Sequence, residues 1–124
     1  MQQKEGLRLR FPRAAQIRHS KEYARVYRRG VRVRGRWILL VAAPAEQPPT
    51  ARIGLSVGRK FHKSAVFRNR TRRILREAFR LCRPQAPALD MILIPVGKED
   101  FWKLAPVQEE LQQLMGKAVK KLSS

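Results

Sequence analysis

Between Ser64 and Pro84 the side chains suited to burial (Phe67, Thr71, Ile74, Leu75, Ala78 and Cys82) recur at the spacing that lines one face of an α-helix and no face of a strand. The pattern predicts a long helix from about Ser64 or Ala65 to Cys82, ended by Pro84. Opposite that stripe, Asn69, Arg73, Arg76, Arg80 and Arg83 follow spacings of 4, 3, 4 and 3, with Arg72 beside them. A helix built this way needs two partners. The apolar stripe requires a packed layer, and the row of guanidinium groups requires counter-charge that the single nearby acid, Glu77, does not supply.

The remainder of the chain supplies the first partner. Tyr23, Val26 and Tyr27 predict a helix starting at Ser20 as N-cap and stopping at Gly30. Val31 and Val33 alternate with Arg32 and Arg34, and the run from Trp37 to Ala43 is expected to continue as a strand apolar on both faces. Ile53, Leu55 and Val57 alternate with Arg52, Gly54, Ser56 and Gly58. One face of that strand thus packs a core, and the other has so little bulk that a ligand or a packed element can approach the backbone, unless the glycines only mark bulges or twist. A further strand is expected at Leu89 to Val96, then a helix with Pro106 in its first turn and an apolar stripe of Val107, Leu111, Leu114, Ala118 and Leu122. The order helix, strands, helix, strand, helix predicts an α+β fold, a two-layer sandwich in one domain over residues 1–124. Residues 1–13 are expected as a flexible N-terminal segment and 119–124 as a flexible tail. The proline-rich stretch Ala43 to Thr50 reads as a loop.

Charge points to the second partner. The chain has 28 Lys and Arg against 9 Asp and Glu, a net of +19, and 19 of the basic residues are arginine. The excess lies in residues 1–42 and 51–83, at +10 each, while residues 84–124 are balanced. Arginine binds phosphate bidentately and stacks on bases, so a nucleic acid, RNA or DNA, is the expected partner rather than a generic acidic one. The first turn of the long helix adds backbone N–H groups and a positive dipole end near Lys63, Ser64 and Arg68, where a phosphate can dock. No recognition helix behind a helix-turn-helix signal argues for a DNA-binding protein.

Other chemistries find little support. His19, His62 and Cys82 have no metal-ligand spacing, and no carboxylate pair stands near the basic helix, so neither a catalytic site nor a metal site on the protein is expected. His62 reads as a surface histidine or a phosphate contact, and Cys82 as a core residue. One cysteine permits no internal disulfide, no run of about 20 apolar residues is present to cross a bilayer, and no signal-peptide pattern opens the chain. A cytoplasmic protein without membrane association is expected.

At Arg68-Asn69-Arg70, followed by Arg72, Arg73, Arg76 and Glu77, the chain resembles the protein subunit of bacterial ribonuclease P, whose hallmark is an Arg-Asn-Arg motif opening a basic helix. The resemblance extends through Gly54-Leu55-Ser56-Val57, Arg59-Lys60 and the segment Arg18 to Gly30, covering roughly residues 8 to 96. His62, Lys63, Ser64 and the bulky Phe67 depart from the usual pattern, and Tyr23 and Tyr27 stand where phenylalanines are common. The resemblance implies a fold like that of ribosomal protein S5 domain 2, with a left-handed strand-helix-strand crossover. It also implies a division of labour, in which a catalytic RNA subunit with Mg²⁺ removes the 5′ leader of precursor tRNA and the protein is a non-catalytic subunit of this endoribonuclease. Arg68, Asn69, Arg70, Arg72, Arg73 and Arg76 would face that RNA. Tyr23, Tyr27, Ser56, Arg59 and Lys60 would line a cleft for the single-stranded leader. The two tyrosines, four residues apart, share a helix face and either stack on unpaired bases or belong to the core. A ribosomal or ribosome-assembly protein of the same fold is the alternative, and a stand-alone metal-dependent nuclease a more distant one.

Overall fold

The computed structural model describes residues 12–99 and 101–124. Helix α1 (Ser20–Arg29) leads into strands β1 (Val31–Arg34), β2 (Ile38–Pro44) and β3 (Arg52–Leu55). Helix α2 (Ala65–Cys82), strand β4 (Leu89–Pro95) and helix α3 (Leu104–Leu122) complete the order. The four strands form one sheet in the order β1-β2-β4-β3. Both β1–β2 and β2–β4 are antiparallel, and β3 lies parallel to β4 at the far edge, with α2 as their crossover.

The stretch from Val31 to Ala43 is two strands rather than one. The chain reverses after Arg34, with Val31 opposite Ala42 and Gly35 N–H bonded to the Ile38 carbonyl. Glu110 of α3 holds this reversal by accepting from the backbone N–H groups of Arg36, Trp37 and Ile38 at 2.7–2.8 Å. Any Cβ at position 35 would lie 2.3 Å from the Glu110 carboxyl carbon, so the approach of that carboxylate requires Gly35. No hydrophobic period reveals a turn made by a carboxylate 75 residues downstream, which is why the sequence reads as continuous.

The two sheet faces bury different sets. Val33, Ile38, Leu40, Ala42, Ile53, Met91 and Leu93 pack with Leu75, Ala78, Phe79 and Cys82 of α2 and with Val107, Leu111, Leu114 and Ala118 of α3. On the opposite face Val41, Ala43 and Ile92 pack with Ile17 and with Val26 of α1. Strand β2 is therefore buried on both faces, as its unbroken apolar run predicts. On α2 the expected stripe is buried at Thr71, Leu75, Ala78 and Cys82. Phe67 and Ile74 lie at its margin, and Phe79, four residues beyond Leu75, belongs to it. Thr71 bonds its hydroxyl to the Phe67 carbonyl at 2.9 Å, which permits its burial.

The helix ends differ in part from expectation. Ser64 caps α2, its Oγ accepting from Phe67 N–H at 3.2 Å. Ser20 does not cap α1: it is the first helical residue, and the His19 carbonyl accepts the first N–H groups. Gly30 follows the last turn of α1, as expected. Val119 to Leu122, expected as part of a flexible tail, form the last turn of α3. Of the expected N-terminal segment, residues 1–11 lie outside the described residues. Arg13 opens a short 3-10 turn, after which Gln16 and Ile17 bond alongside Ile53 and cover the free edge of β3.

Candidate nucleic-acid interface

Helix α1 is fastened to the sheet by buried charge. Asp90, 0% exposed near the start of β4, accepts two hydrogen bonds at 2.9 Å from Arg52 on β3. Arg25 of α1 pairs with the same carboxylate, and the Glu46 N–H donates to it at 3.1 Å. Arg52 also reaches Glu22 of α1, and Arg25 lies 3.0 Å from Glu46. Burial alone would push the Asp90 carboxyl upward. The hydrogen bonds from Arg52 and Glu46 N–H, with the charges of Arg52 and Arg25, outweigh it and hold the pKa below its usual value. Arg52 is raised in turn, chiefly by its bond to Asp90. Sequence reasoning missed this network, although a lone acid inside the apolar run Leu89–Pro95 and an arginine on the small-residue face of β3 were its visible signals.

The small-residue face of β3 admits a packed element. Tyr23 lies over Gly54, where any Cβ would come within 2.5 Å of the phenol oxygen. Its hydroxyl accepts from Leu55 N–H at 3.1 Å and lies 3.3 Å from the Leu55 carbonyl. Burial raises the pKa of this phenol, against the lowering effect of the Leu55 backbone bond. Tyr23→Phe therefore leaves a partly buried Leu55 N–H without its acceptor and is expected to destabilise the fold by about 1–3 kcal/mol. Tyr27→Phe, one turn along and 36% exposed, is expected to change stability by under about 0.5 kcal/mol. Urea denaturation of both variants checks the contrast.

The two tyrosines are thus unequal, one tied to the backbone and one open. Tyr27 sits 5.8 Å from the Arg32 guanidinium, a cation–π contact at the rim of the sheet. By strand register, Arg34, Leu39 and Ile94 form the next row on this same face, with Arg34 exposed and the two apolar residues half-buried. Ser56 extends the row, its N–H bonding to the Leu93 carbonyl. The result is an apolar floor with an aromatic and two arginines at its edge.

On α2, Arg70, Arg73 and Arg76 are exposed and have no partner among the described residues. Asn69 is exposed and accepts from Arg72 at 2.6 Å, while Arg72 also donates to the Val57 carbonyl at 2.7 Å. Arg68 turns back to bond the His62 and Lys63 carbonyls at 2.8 and 2.9 Å, holding the loop that precedes the helix. His62 belongs to the same loop. Its ring stacks on Phe67 with 4.1 Å between centroids, and its Nδ1 accepts from Ser64 N–H. Arg80 pairs with Glu77.

A cleft of about 290 Å³ lies between Arg18, Tyr23, Leu55, Arg72 and Arg76. It joins members of the two groups expected to serve different RNAs. Arg59 and Lys60 are exposed on the loop after β3. Lys60 lines a separate hollow with Arg34, His62 and Lys98 instead of the cleft at Tyr23. Among the described residues, no three or more His, Cys, Asp or Glu side chains come together as a possible metal site. Cys82 is buried, and burial pushes its thiol up. No helix among the described residues is long and apolar enough to cross a membrane.

A four-stranded sheet carrying a basic helix with unpaired arginines, and a second cleft rimmed by aromatic and guanidinium groups, defines a small α+β RNA-binding protein. The family model described as Ribonuclease P matches residues 11–119. The ribonuclease P protein component of Chlamydia trachomatis serovar L2 is 37% identical over 119 residues, covering 94% of this chain and 96% of that protein. The component from Bordetella petrii is 33% identical over 90 residues, covering 69% and 73%. The chain belongs to the ribonuclease P protein family. Solved structures agree in fold. The RNase P protein of Staphylococcus aureus superimposes with a TM-score of 0.73 at 25% identity, covering 86% of this chain and 96% of that one. The Thermotoga maritima RNase P protein gives 0.72 at 23% identity, covering 82% and 96%.

Proposed function

We propose that this protein binds the RNA subunit of ribonuclease P through the exposed face of α2 and the 5′ leader of precursor tRNA along the sheet beside α1. The observation that carries the reading is the set Arg70, Arg73 and Arg76, exposed and unpaired, whereas Glu22, Glu46, Glu77, Asp90 and Glu99 are each paired with an arginine. Guanidinium groups left open in this way suit phosphate oxygens, which each accept charge-assisted hydrogen bonds. Arg68, Asn69 and Arg72 brace the same surface from within. For the leader, Tyr27 offers a stacking face, Leu39 and Ile94 an apolar floor, and Arg34, Ser56, Arg59 and Lys60 polar contacts toward the backbone.

The cleavage chemistry is assigned to the RNA. The carboxylates Asp90, Glu22, Glu77 and Glu110 are each engaged with arginines or backbone N–H groups, so these acids offer no open set for Mg²⁺, which the RNA would hold. The protein contributes binding and orientation, and a cytoplasmic setting fits that work. The test combines purified protein, partner RNA and precursor tRNA. Protein alone is expected not to cleave, and addition of the RNA with Mg²⁺ restores cleavage. In the assembled enzyme, Tyr27→Ala is expected to weaken binding of long-leader substrates by about 1–3 kcal/mol and to leave short-leader substrates unchanged. Equal loss for both substrates would remove Tyr27 from the leader path.

A further inference from the structure

Arg34 ends the sheet row that it forms with Leu39 and Ile94, and it also lines a hollow of about 430 Å³ where the chain after β4 meets the loop before α2. Lys60, Phe61, His62, Phe67 and Lys98 line it too. Its size falls in the range of about 300–1,000 Å³ usual for small-molecule sites. Arg34, Lys60 and Lys98 are exposed and have no partner among the described residues. Glu99, an acid at the wall, is already paired with Arg36 at 2.8 Å. The walls are aromatic and held in place. The half-buried His62 ring stacks on Phe67, and Phe61 packs edge-on to Trp102 with 5.7 Å between centroids. Arg68 holds the His62 and Lys63 carbonyls on one side, and on the other the Val96 and Gly97 N–H groups bond the Trp37 carbonyl. His62 Nδ1 accepts from Ser64 N–H, which leaves the proton of the neutral ring on Nε2, a donor with no partner among the described residues.

We propose that this hollow is a base-binding subsite, in which one unpaired nucleobase of the precursor tRNA leader stacks against the aromatic wall at His62. The phosphates flanking that base lie against Arg34, Lys60 and Lys98. The inference rests on the reading of the sheet beside α1 as the leader path, and it continues that path round the end of β4 toward the loop before α2. Three observations favour single-stranded RNA as the occupant. An aromatic wall suits any base, because every base has a π-face. Three open cations at the rim attract a polyanion and repel a basic peptide. Arg34 belongs both to the sheet row and to the hollow, so one strand of RNA reaches both without a break. The competing explanation is local. The stack of His62 on Phe67 closes the loop before α2, and that role needs no ligand.

Binding of precursor tRNA to the assembled enzyme, with single abasic nucleotides placed in turn along a long leader, separates these cases. The parent is expected to lose about 5- to 150-fold in affinity at one leader position besides the one that Tyr27 serves. His62→Ala is expected to lower affinity for the intact leader by a similar factor and to abolish the penalty at that one position. His62→Phe keeps both the affinity and the position dependence, because the stacking face remains. Lys98→Gln is expected to lower the log–log salt slope by about 0.7, one phosphate of a single strand. Lys98 is exposed and unpaired, so this variant tests the hollow even where loss of the His62 ring disturbs the loop, and an unchanged slope overturns the proposal. If His62→Ala binds every leader as tightly as the parent, or lowers affinity by one factor at all leader positions, the ring touches no base and the proposal is overturned. Weaker binding of His62→Ala to the RNA subunit without substrate would turn the hollow toward that RNA, which also overturns it. Tyr27→Ala in the same scan keeps the two readings apart. A position-specific loss there with none for His62→Ala removes only the hollow, and no loss for either variant removes the leader path as well.

Discussion

Replacing Asp90 with alanine is expected to destabilise the protein by about 3–5 kcal/mol, the cost of leaving buried cationic partners without their counter-charge. The carboxylate is fully buried and is shared by Arg52 from β3, Arg25 from α1 and the Glu46 N–H of the loop between β2 and β3, with Glu22 of α1 closing the ring on Arg52. Three elements are joined by this one group, so its loss removes the Arg25 tie of α1 to the sheet and leaves the helix held by Val26, Tyr23 and the Glu22–Arg52 pair. Urea denaturation gives the stability change, and a change below about 1 kcal/mol would show that the pairs contribute no more than exposed ones. The same network sets an acid limit. Since the folded-state pKa of Asp90 lies below that of the unfolded chain, its contribution is present above the unfolded value of about 3.9 and is lost as pH falls through the folded value. Stability measured in that acid range is expected to drop less steeply in Asp90→Asn than in the parent.

The second large effect concerns binding. Substituting Arg70, Arg73 and Arg76 together with alanine is expected to lower the log–log salt slope of binding to ribonuclease P RNA by about 2–3 units, with each lost phosphate contact returning its share of counterions. The fold should survive, since all three side chains are exposed and none bonds to another described residue. Circular dichroism and thermal melting verify that point. Arg68→Ala and Arg72→Ala serve as contrasts, because these residues hold the loop carbonyls of His62, Lys63 and Val57. Their replacement should cost stability as well as affinity. A triple variant with the parent slope would move the RNA interface off α2.

This contrast between exposed and bracing arginines marks the limit of what spacing reveals. The periodicity of α2 placed Asn69, Arg73, Arg76, Arg80 and Arg83 opposite the core; the structure leaves the first three exposed, while Arg80 and Arg83 are half-buried and Arg83 lies past the helix end. It could not show that Arg68 folds back on its own loop or that Arg80 pairs with Glu77, since both depend on side-chain rotamers chosen by neighbours. Tyr23 and Tyr27 illustrate the same point. Helical spacing makes them equivalent, yet only Tyr23 meets the backbone of β3, because β3 carries Gly54 at the point of contact.

The sequence by itself determined the helices and the strands after the proline-rich loop, the two apolar stripes, the doubly buried strand and the concentration of positive charge, all of which follow from local period and residue chemistry. The Arg-Asn-Arg context was also enough to indicate the family, which residues 11–119 match. Tertiary structure alone decided the hairpin at Gly35, the ring of charge around Asp90 and the anchoring of Tyr23. The reason is physical. A hydrophobic period is a property of neighbours along the chain. A carboxylate from α3 that caps a turn between β1 and β2, or an aspartate that gathers arginines from a strand and a helix, acts between residues brought together only when the layers close.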